Sequence, residues 1–490
     1  MEASLPISAG NNSVSAPGNR RETVSASAGR TTAPVLPANA SIKLPLAFVL
    51  TGVAALLIGM IWLTIHPELL AVYHYGPNII AVTHLFVLGW ICSVVMGAVY
   101  QLVPVALETK LYSERLARWQ LALHLIGFSG MVWMFHGWNM KHVGHFGCVL
   151  ATGIGLFVYN VTRTLFRVPR WNVIAAAIAS ALGWICFAAL AGLSIAAGKC
   201  VYESNPSTAT PLSALIGSVH SLGLFMSRFE AISAMHAHAH LGAVGLFTML
   251  IVGVSYKLIP MFTLSEIQNK RRAALSVALL NIGLGGSFIS ILLRSPWKLA
   301  FALVTISALA LYGFEMRAIL RARKRRPLDW GIRYFLTAIA LLGPLCVLAI
   351  VLSWPGLPLS AFTGQLENVY GLVGLIGFVS FAIFGMLYKI VPFLVWFGTY
   401  SKHIGRARVP ALAEMYCARL QAVGYWAFLA GLSVTVIATL CANAGAIRWG
   451  CALLVFSVIT LAANIGRILT HYFRPKLVPF AAKTLHTHPA

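Results

Sequence analysis

Histidines are the residues best suited to chemistry in this chain: there are fifteen in 490 residues of which 59% are apolar and only 10% charged. A neutral imidazole is the commonest metal ligand, and histidine titrates near neutral pH. His236, His238 and His240 stand together in the run MHAHAHLG, and His84 stands alone in an earlier apolar segment. On a helix His236 and His240 share a face, being four residues apart, while His238 turns to roughly the opposite one. One helix can therefore offer ligands to two neighbouring cavities. An ionisable residue inside an apolar span is a functional candidate by default. Three readings are open. The first is haem, its iron held by imidazoles from facing helices, with His84, His236, His238 and His240 as candidates. The second is a copper or zinc ion on His84, His236 and His240. The third is histidines bonded to backbone or water within a bundle. Met134, Met140, Met226 and Met235 add slightly to the copper case, and His66, His74, His136, His142, His145 and His220 fall on or near the same side.

The elements that must position these residues are membrane helices. A charged share of 10% compares with about 25% in soluble domains. A bilayer can solvate so much apolar surface when the backbone bonds to itself. Apolar runs of about 20 residues, enough to cross a bilayer, lie near 44–65, 78–104, 121–138, 146–161, 173–197 and 234–262. Further runs lie near 275–293, 299–319, 334–354, 369–393, 422–440 and 450–469. The sequence thus predicts an all-α polytopic membrane protein of about twelve transmembrane helices, with one membrane domain over residues 44–470. Residues 1–43, rich in Ser, Ala and Gly, are expected to form a disordered tail, and residues 471–490 a second tail. Arg20-Arg21 is followed by no nearby apolar run and makes a poor export signal.

A net charge of +24 raises the question of nucleic acid, but its distribution points to a lipid bilayer instead. The tails and the loops after even-numbered spans hold 28 of the 36 Lys and Arg, with Lys257 and Lys389 at the ends of spans six and ten on the same side. The other side keeps only Lys141, Lys199, Arg228, Arg294, Lys298 and Arg448. By the positive-inside rule both termini are expected in the cytoplasm. The histidine groups then lie in the outer part of the bundle. The eight Cys are scattered at no metal-ligand spacing and read as small packing residues. Cys200 and Cys441 share the outer side, and a disulfide between them is conceivable.

Three spans carry one pattern without gaps: GWICSVVMGAVYQLVP, GLFTMLIVGVSYKLIP and GFVSFAIFGMLYKIVP. Gly89, Gly245 and Gly377 match, as do Gly97, Gly253 and Gly385, then Tyr100, Tyr256 and Tyr388, then Pro104, Pro260 and Pro392. The glycines allow close helix approach. The prolines are expected to stop their helices, and the tyrosines to anchor them at the headgroups. Because the marked helices are the second, sixth and tenth, the chain divides into three pseudo-equivalent units of four. His84 and His240 become equivalent, each lying 20 residues before its motif proline, where the third repeat has Leu372.

Twelve helices in three units of four resemble haem-copper oxidase subunit I, close to the cbb3-type and nitric-oxide-reductase branch. GFVSFAIFGMLYKIVP and HLGAVGLFTMLIVGVSYKLIP resemble that superfamily's helix-ten and helix-six segments, and the resemblance covers about residues 44–470. By position it implies a low-spin haem ligand at His84 and a copper ligand among His236, His238 and His240. The departures are specific: span ten has no histidine, only Asn368 and Tyr370 near its start; span seven has none; and Val244 stands where typical oxidases carry a tyrosine. The resemblance therefore implies a stand-alone, NnrS-like haem protein of a bacterial inner membrane rather than a complete oxygen reductase. The expected roles are electron transfer with a donor cytochrome, binding of a small gas such as nitric oxide, or nitric oxide resistance. The alternative is a copper or haem transporter or chaperone without redox chemistry.

Overall fold

A computed structural model describes residues 42–203, 221, 223–325 and 327–479. The expectations for residues 1–41, for the Cys200 side chain, for His220 and for residues 480–490 lie outside these. Twelve helices of at least 23 residues follow one another: α1 Lys43–Ile65, α2 Pro77–Ala106, α3 Glu114–His136, α4 Met140–Leu165, α5 Val173–Glu203 and α6 Ala231–Thr263. They continue with α7 Lys270–Leu292, α8 Lys298–Arg321, α9 Trp330–Ser353, α10 Ala361–His403, α11 Ala418–Leu440 and α12 Ala444–Phe473. A two-residue antiparallel pairing, β1 Ala407–Arg408 with β2 Val478–Pro479, ties the segment after α12 to the α10–α11 connection. The protein is an all-α polytopic membrane protein.

Eleven of these helices are long and apolar enough to cross a bilayer. The twelfth, α3, is long enough, but Gln120 and His124 interrupt its apolar run. Both are fully buried and serve α2: Gln120 accepts from the Tyr100 hydroxyl at 3.3 Å, and His124 Nε2 lies 3.1 Å from the Leu88 carbonyl and 3.0 Å from the Ser93 hydroxyl. Internal partners of this kind offset the cost of a polar group in an apolar medium.

Helix starts follow capping chemistry. Side chains of Ser113, Asn139, Asn172, Glu230, Asn269, Asp329, Ser360 and Asn443 accept the first free N–H groups of α3, α4, α5, α6, α7, α9, α10 and α12. The core runs along α2, α6 and α10, whose apolar stretches are 67%, 67% and 72% buried, against 17–56% in the remaining eight spans. One packing order recurs around them. Helix α2 lies between α1 and α3, α6 between α5 and α7, and α10 between α9 and α11; α3–α4, α7–α8 and α11–α12 pair; and α12 packs back on α1. Exposed Trp119, Trp171 and Trp426 towards one end, and Trp133, Trp297, Trp354 and Trp449 at the other, are placed as interfacial aromatics are.

The motif residues do two things the sequence reading assigned differently. Tyr100, Tyr256 and Tyr388 are buried inside the bundle rather than set at headgroups. Each lies three residues after Gly97, Gly253 or Gly385 and so shares the face packed on the preceding helix. Tyr256 bonds to the Ser276 hydroxyl of α7 at 2.8 Å, as Tyr100 does to Gln120 of α3. Pro392 does not stop its helix, which runs on as regular α-helix to Tyr400; neighbouring helices make a proline tolerable in such a place.

All three central helices contain a π-helical stretch: Leu85–Cys92, Leu241–Thr248 and Val373–Val379. Each begins one residue after His84, His240 or Leu372. Each is closed by a hydroxyl that donates to the carbonyl five residues earlier: Ser93 to Leu88, Thr248 to Ala243 at 2.8 Å and Ser380 to Leu375 at 2.9 Å. Such stretches are rare and frequent at functional sites.

Candidate functional site: a histidine-lined cavity

At the end of the bundle opposite the basic loops lies a cavity of about 1040 Å³, just above the usual range for ligand sites, about 300–1,000 Å³. His84, His236, His238 and His240 all line it, as does His74 from the α1–α2 connection. Much of its wall is apolar, with glycines 192, 242, 371 and 374 among its residues.

His84 and His240 are held in the same way. His84 Nδ1–H donates to the Ile80 carbonyl at 2.8 Å, and His240 Nδ1–H donates to the His236 carbonyl at 2.7 Å. A carbonyl only accepts, so the proton sits on Nδ1 and each Nε2 keeps its lone pair. An imidazole fixed in this tautomer is prepared to ligate a metal. The His84 ring lies against Phe135 of α3 with centroids 4.5 Å apart, and the His240 ring stacks with Tyr370 of α10 at 5.9 Å.

His238 turns away, as its position on the helix requires. It faces α5, where a Cβ at Gly192 would lie 3.0 Å from its Cε1. Its buried Nδ1 has no hydrogen-bond partner among the described residues, and His84 is within electrostatic reach. His236 joins neither. Its Nε2 lies 2.9 Å from Nε2 of His74, the rings stacked with centroids 5.1 Å apart. His74 Nδ1 in turn lies 2.9 Å from Oδ1 of Asn368 on α10. Burial holds His74 below its usual pKa, against the Asn368 bond, which favours the charged form. The cavity therefore gathers all four predicted histidines but divides them. His84 and His240 present like atoms from like positions, His238 stands against α5, and His236 pairs with a histidine the sequence did not single out as a ligand.

Charge at the cavity is also selective. Of the six cations on the histidine side, Lys199, Arg294 and Lys298 line it, with Glu230 and Glu367. Lys199 donates to the Tyr75 hydroxyl at 2.8 Å and Lys298 to the Leu352 carbonyl at 3.2 Å. Cys441, named above as a conceivable disulfide partner, is exposed and unpaired among the described residues.

His74, Glu367 and Asn368 are site residues that the sequence did not single out as ligands. For Asn368 a signal was present. Asn368 and His236 each lie 24 residues before a motif proline, at Pro392 and Pro260, so His74 is gripped by equivalent positions of two repeats. Compared with known protein-family models and with curated proteins, the chain matches none.

Proposed function

We propose that this is a haem-binding membrane protein of oxidase-like architecture, built from three units of four helices, in a bacterial inner membrane with both termini in the cytoplasm. The observation that carries the reading is the pair His84 and His240. Equivalent residues of two repeats present unprotonated Nε2 atoms to one large apolar cavity, each imidazole locked by the same carbonyl bond. The donor set fits haem: two imidazoles suit its iron, apolar walls suit the macrocycle, and Lys199, Arg294 and Lys298 suit its two carboxylates. The repeated packing order and the three matched π-helical stretches support the three-unit reading.

Bound haem supplies an iron that exchanges an electron or takes up a small gas. The chain's own residues fix the ligand rings through Ile80, His236, Phe135 and Tyr370, and keep the surroundings apolar. The role is electron transfer, nitric oxide binding or nitric oxide resistance rather than oxygen reduction, since spans seven and ten carry no histidine. The test is the absorbance spectrum of the purified full chain, reduced and oxidised. Soret and α bands are expected, and His84→Ala and His240→Ala should each abolish or shift them while the protein still inserts. A chain that inserts, is supplied with haem and shows no Soret band defeats the reading and favours a metal carrier without redox chemistry.

A further inference from the structure

One group of three metal-ligating side chains converges among the described residues, and it is not the set the sequence points to. His74 Nε2 or Nδ1, His236 and the Glu367 carboxylate each offer an atom within 4.8 Å of the other two. They come from three places in the chain: the α1–α2 connection, the second turn of α6 and the second turn of α10. Neither His74 nor Glu367 holds a position to which the oxidase resemblance assigns a ligand.

Hydrogen bonding fixes which atoms are available. Asn368 Nδ2 donates to the Val72 carbonyl at 2.7 Å and lies 3.0 Å from Gln365 Oε1. Its amide orientation is thereby set, and Oδ1 is the acceptor facing His74. His74 must then carry its proton on Nδ1, which leaves a lone pair on Nε2, the atom 2.9 Å from His236 Nε2. Without an ion, one proton on His236 bridges the two nitrogens. An ion can take that proton's place when His236 carries its proton on Nδ1 instead, leaving both Nε2 lone pairs to the ion. With metal–nitrogen bonds of about 2.0–2.1 Å, two nitrogens so spaced subtend about 90° at the ion. Glu367 supplies the anionic third ligand. Asn368 orients a ligand by its remaining ring nitrogen, the usual outer-shell arrangement for ligating histidines. Gln365 Nε2 donates to the Ala71 carbonyl at 2.6 Å, so α10 also holds the loop that carries His74.

We infer that His74, His236 and Glu367 form a binding site for one divalent first-row transition-metal ion, separate from the His84 and His240 pair. Imidazole with carboxylate suits that class of ion over calcium or magnesium, which prefer all-oxygen ligands. The ion would join the α1–α2 connection, α6 and α10 at the cavity wall. The site meets the haem reading at one point only, the His236 carbonyl, which holds His240.

The experiment uses the full chain purified in detergent, free of haem and stripped of metal, with Co²⁺ as the probe. Visible d–d absorption and metal analysis report binding; Zn²⁺ reports displacement. Saturable binding of one Co²⁺ per chain, displaced by Zn²⁺, is expected. His74→Ala and His236→Ala should abolish it, and the near-isosteric Glu367→Gln and Asn368→Ala should weaken it about 10–100-fold. His142→Ala should leave it unchanged, which tests for adventitious binding at the exposed His142 and His145. Each variant is checked for a wild-type elution profile and melting temperature. Absence of saturable binding in the wild type overturns the site, as does wild-type affinity in a folded His74→Ala or Glu367→Gln. Because the readout needs no haem, a failed Soret test leaves this result standing, and the reverse also holds.

Discussion

A single imidazole tells little, but its second nitrogen tells a great deal. His84 and His240 are alike less because both are histidine than because each spends Nδ1 on the carbonyl four residues back. Their candidacy was legible in the sequence through the repeat. That of His74 was not, because it lies in a connection outside the repeated segment and its partners come from α6 and α10. A buried residue shows the same dependence on distant partners. Glu315 of α8 is fully buried and accepts from the backbone N–H groups of Gln268 and Asn269 at 2.7 and 2.9 Å, with Arg272 3.4 Å away. It holds the loop that starts α7. Removing an acceptor from buried donors costs about 1–3 kcal/mol each. Glu315→Ala should therefore lower the melting temperature in detergent by several degrees, and Glu315→Gln, which keeps one carbonyl oxygen, by less. Equal melting of Glu315→Ala and wild type would show that the loop needs no such anchor.

At the level of the element, the glycines of the motif behave as their spacing suggests. A Cβ on Gly97 would lie 2.5 Å from Cβ of Phe48 on α1, and one on Gly253 would collide with Cβ of Ala177 on α5. Overpacking of this kind costs about 1–3 kcal/mol. Gly253→Val should reduce the yield of folded, monodisperse protein, whereas Gly313→Ala on α8, where nothing lies within 4 Å, should not. A well-behaved Gly253→Val would mean that α5 and α6 separate freely. Sequence spacing located these contacts but misjudged the tyrosines three residues on, since Ser276 and Gln120 gave no sign in their own segments of being partners. The π-helical stretches were not legible either, because no residue type marks a helix that widens by one residue per turn.

For the whole molecule, composition alone fixed the fold class: a chain this apolar has few ways to satisfy its backbone except as membrane helices. The number of helices was also readable, though α3 is apolar only where it does not serve α2. The proposed orientation of the bundle rests on charge. Reporter fusions after Arg325 and after Pro358 are expected to read cytoplasmic and external respectively; the opposite pattern would invert the proposed topology and put the histidine cavity on the cytoplasmic side. The same asymmetry sharpens attention on its exceptions, because Lys199, Arg294 and Lys298 stand on the histidine side and all line the cavity.

The π-helical stretches also bear on how such a chain can change over time. An α-helix turns about 100° per residue, so the one additional residue held in each stretch sets the angular offset between the glycine–tyrosine half of a central helix and its histidine half. Substitutions within Leu85–Cys92 or Leu241–Thr248 that spare the packed glycines Gly89 and Gly245 and the closing hydroxyls leave that offset alone. Loss of one residue there would let the stretch relax to regular α-helix and swing His84 or His240 out of the cavity while the motif glycines stayed packed. Descendants of this sequence can thus vary these segments outside Gly89, Gly245 and the closing hydroxyls, but not their length.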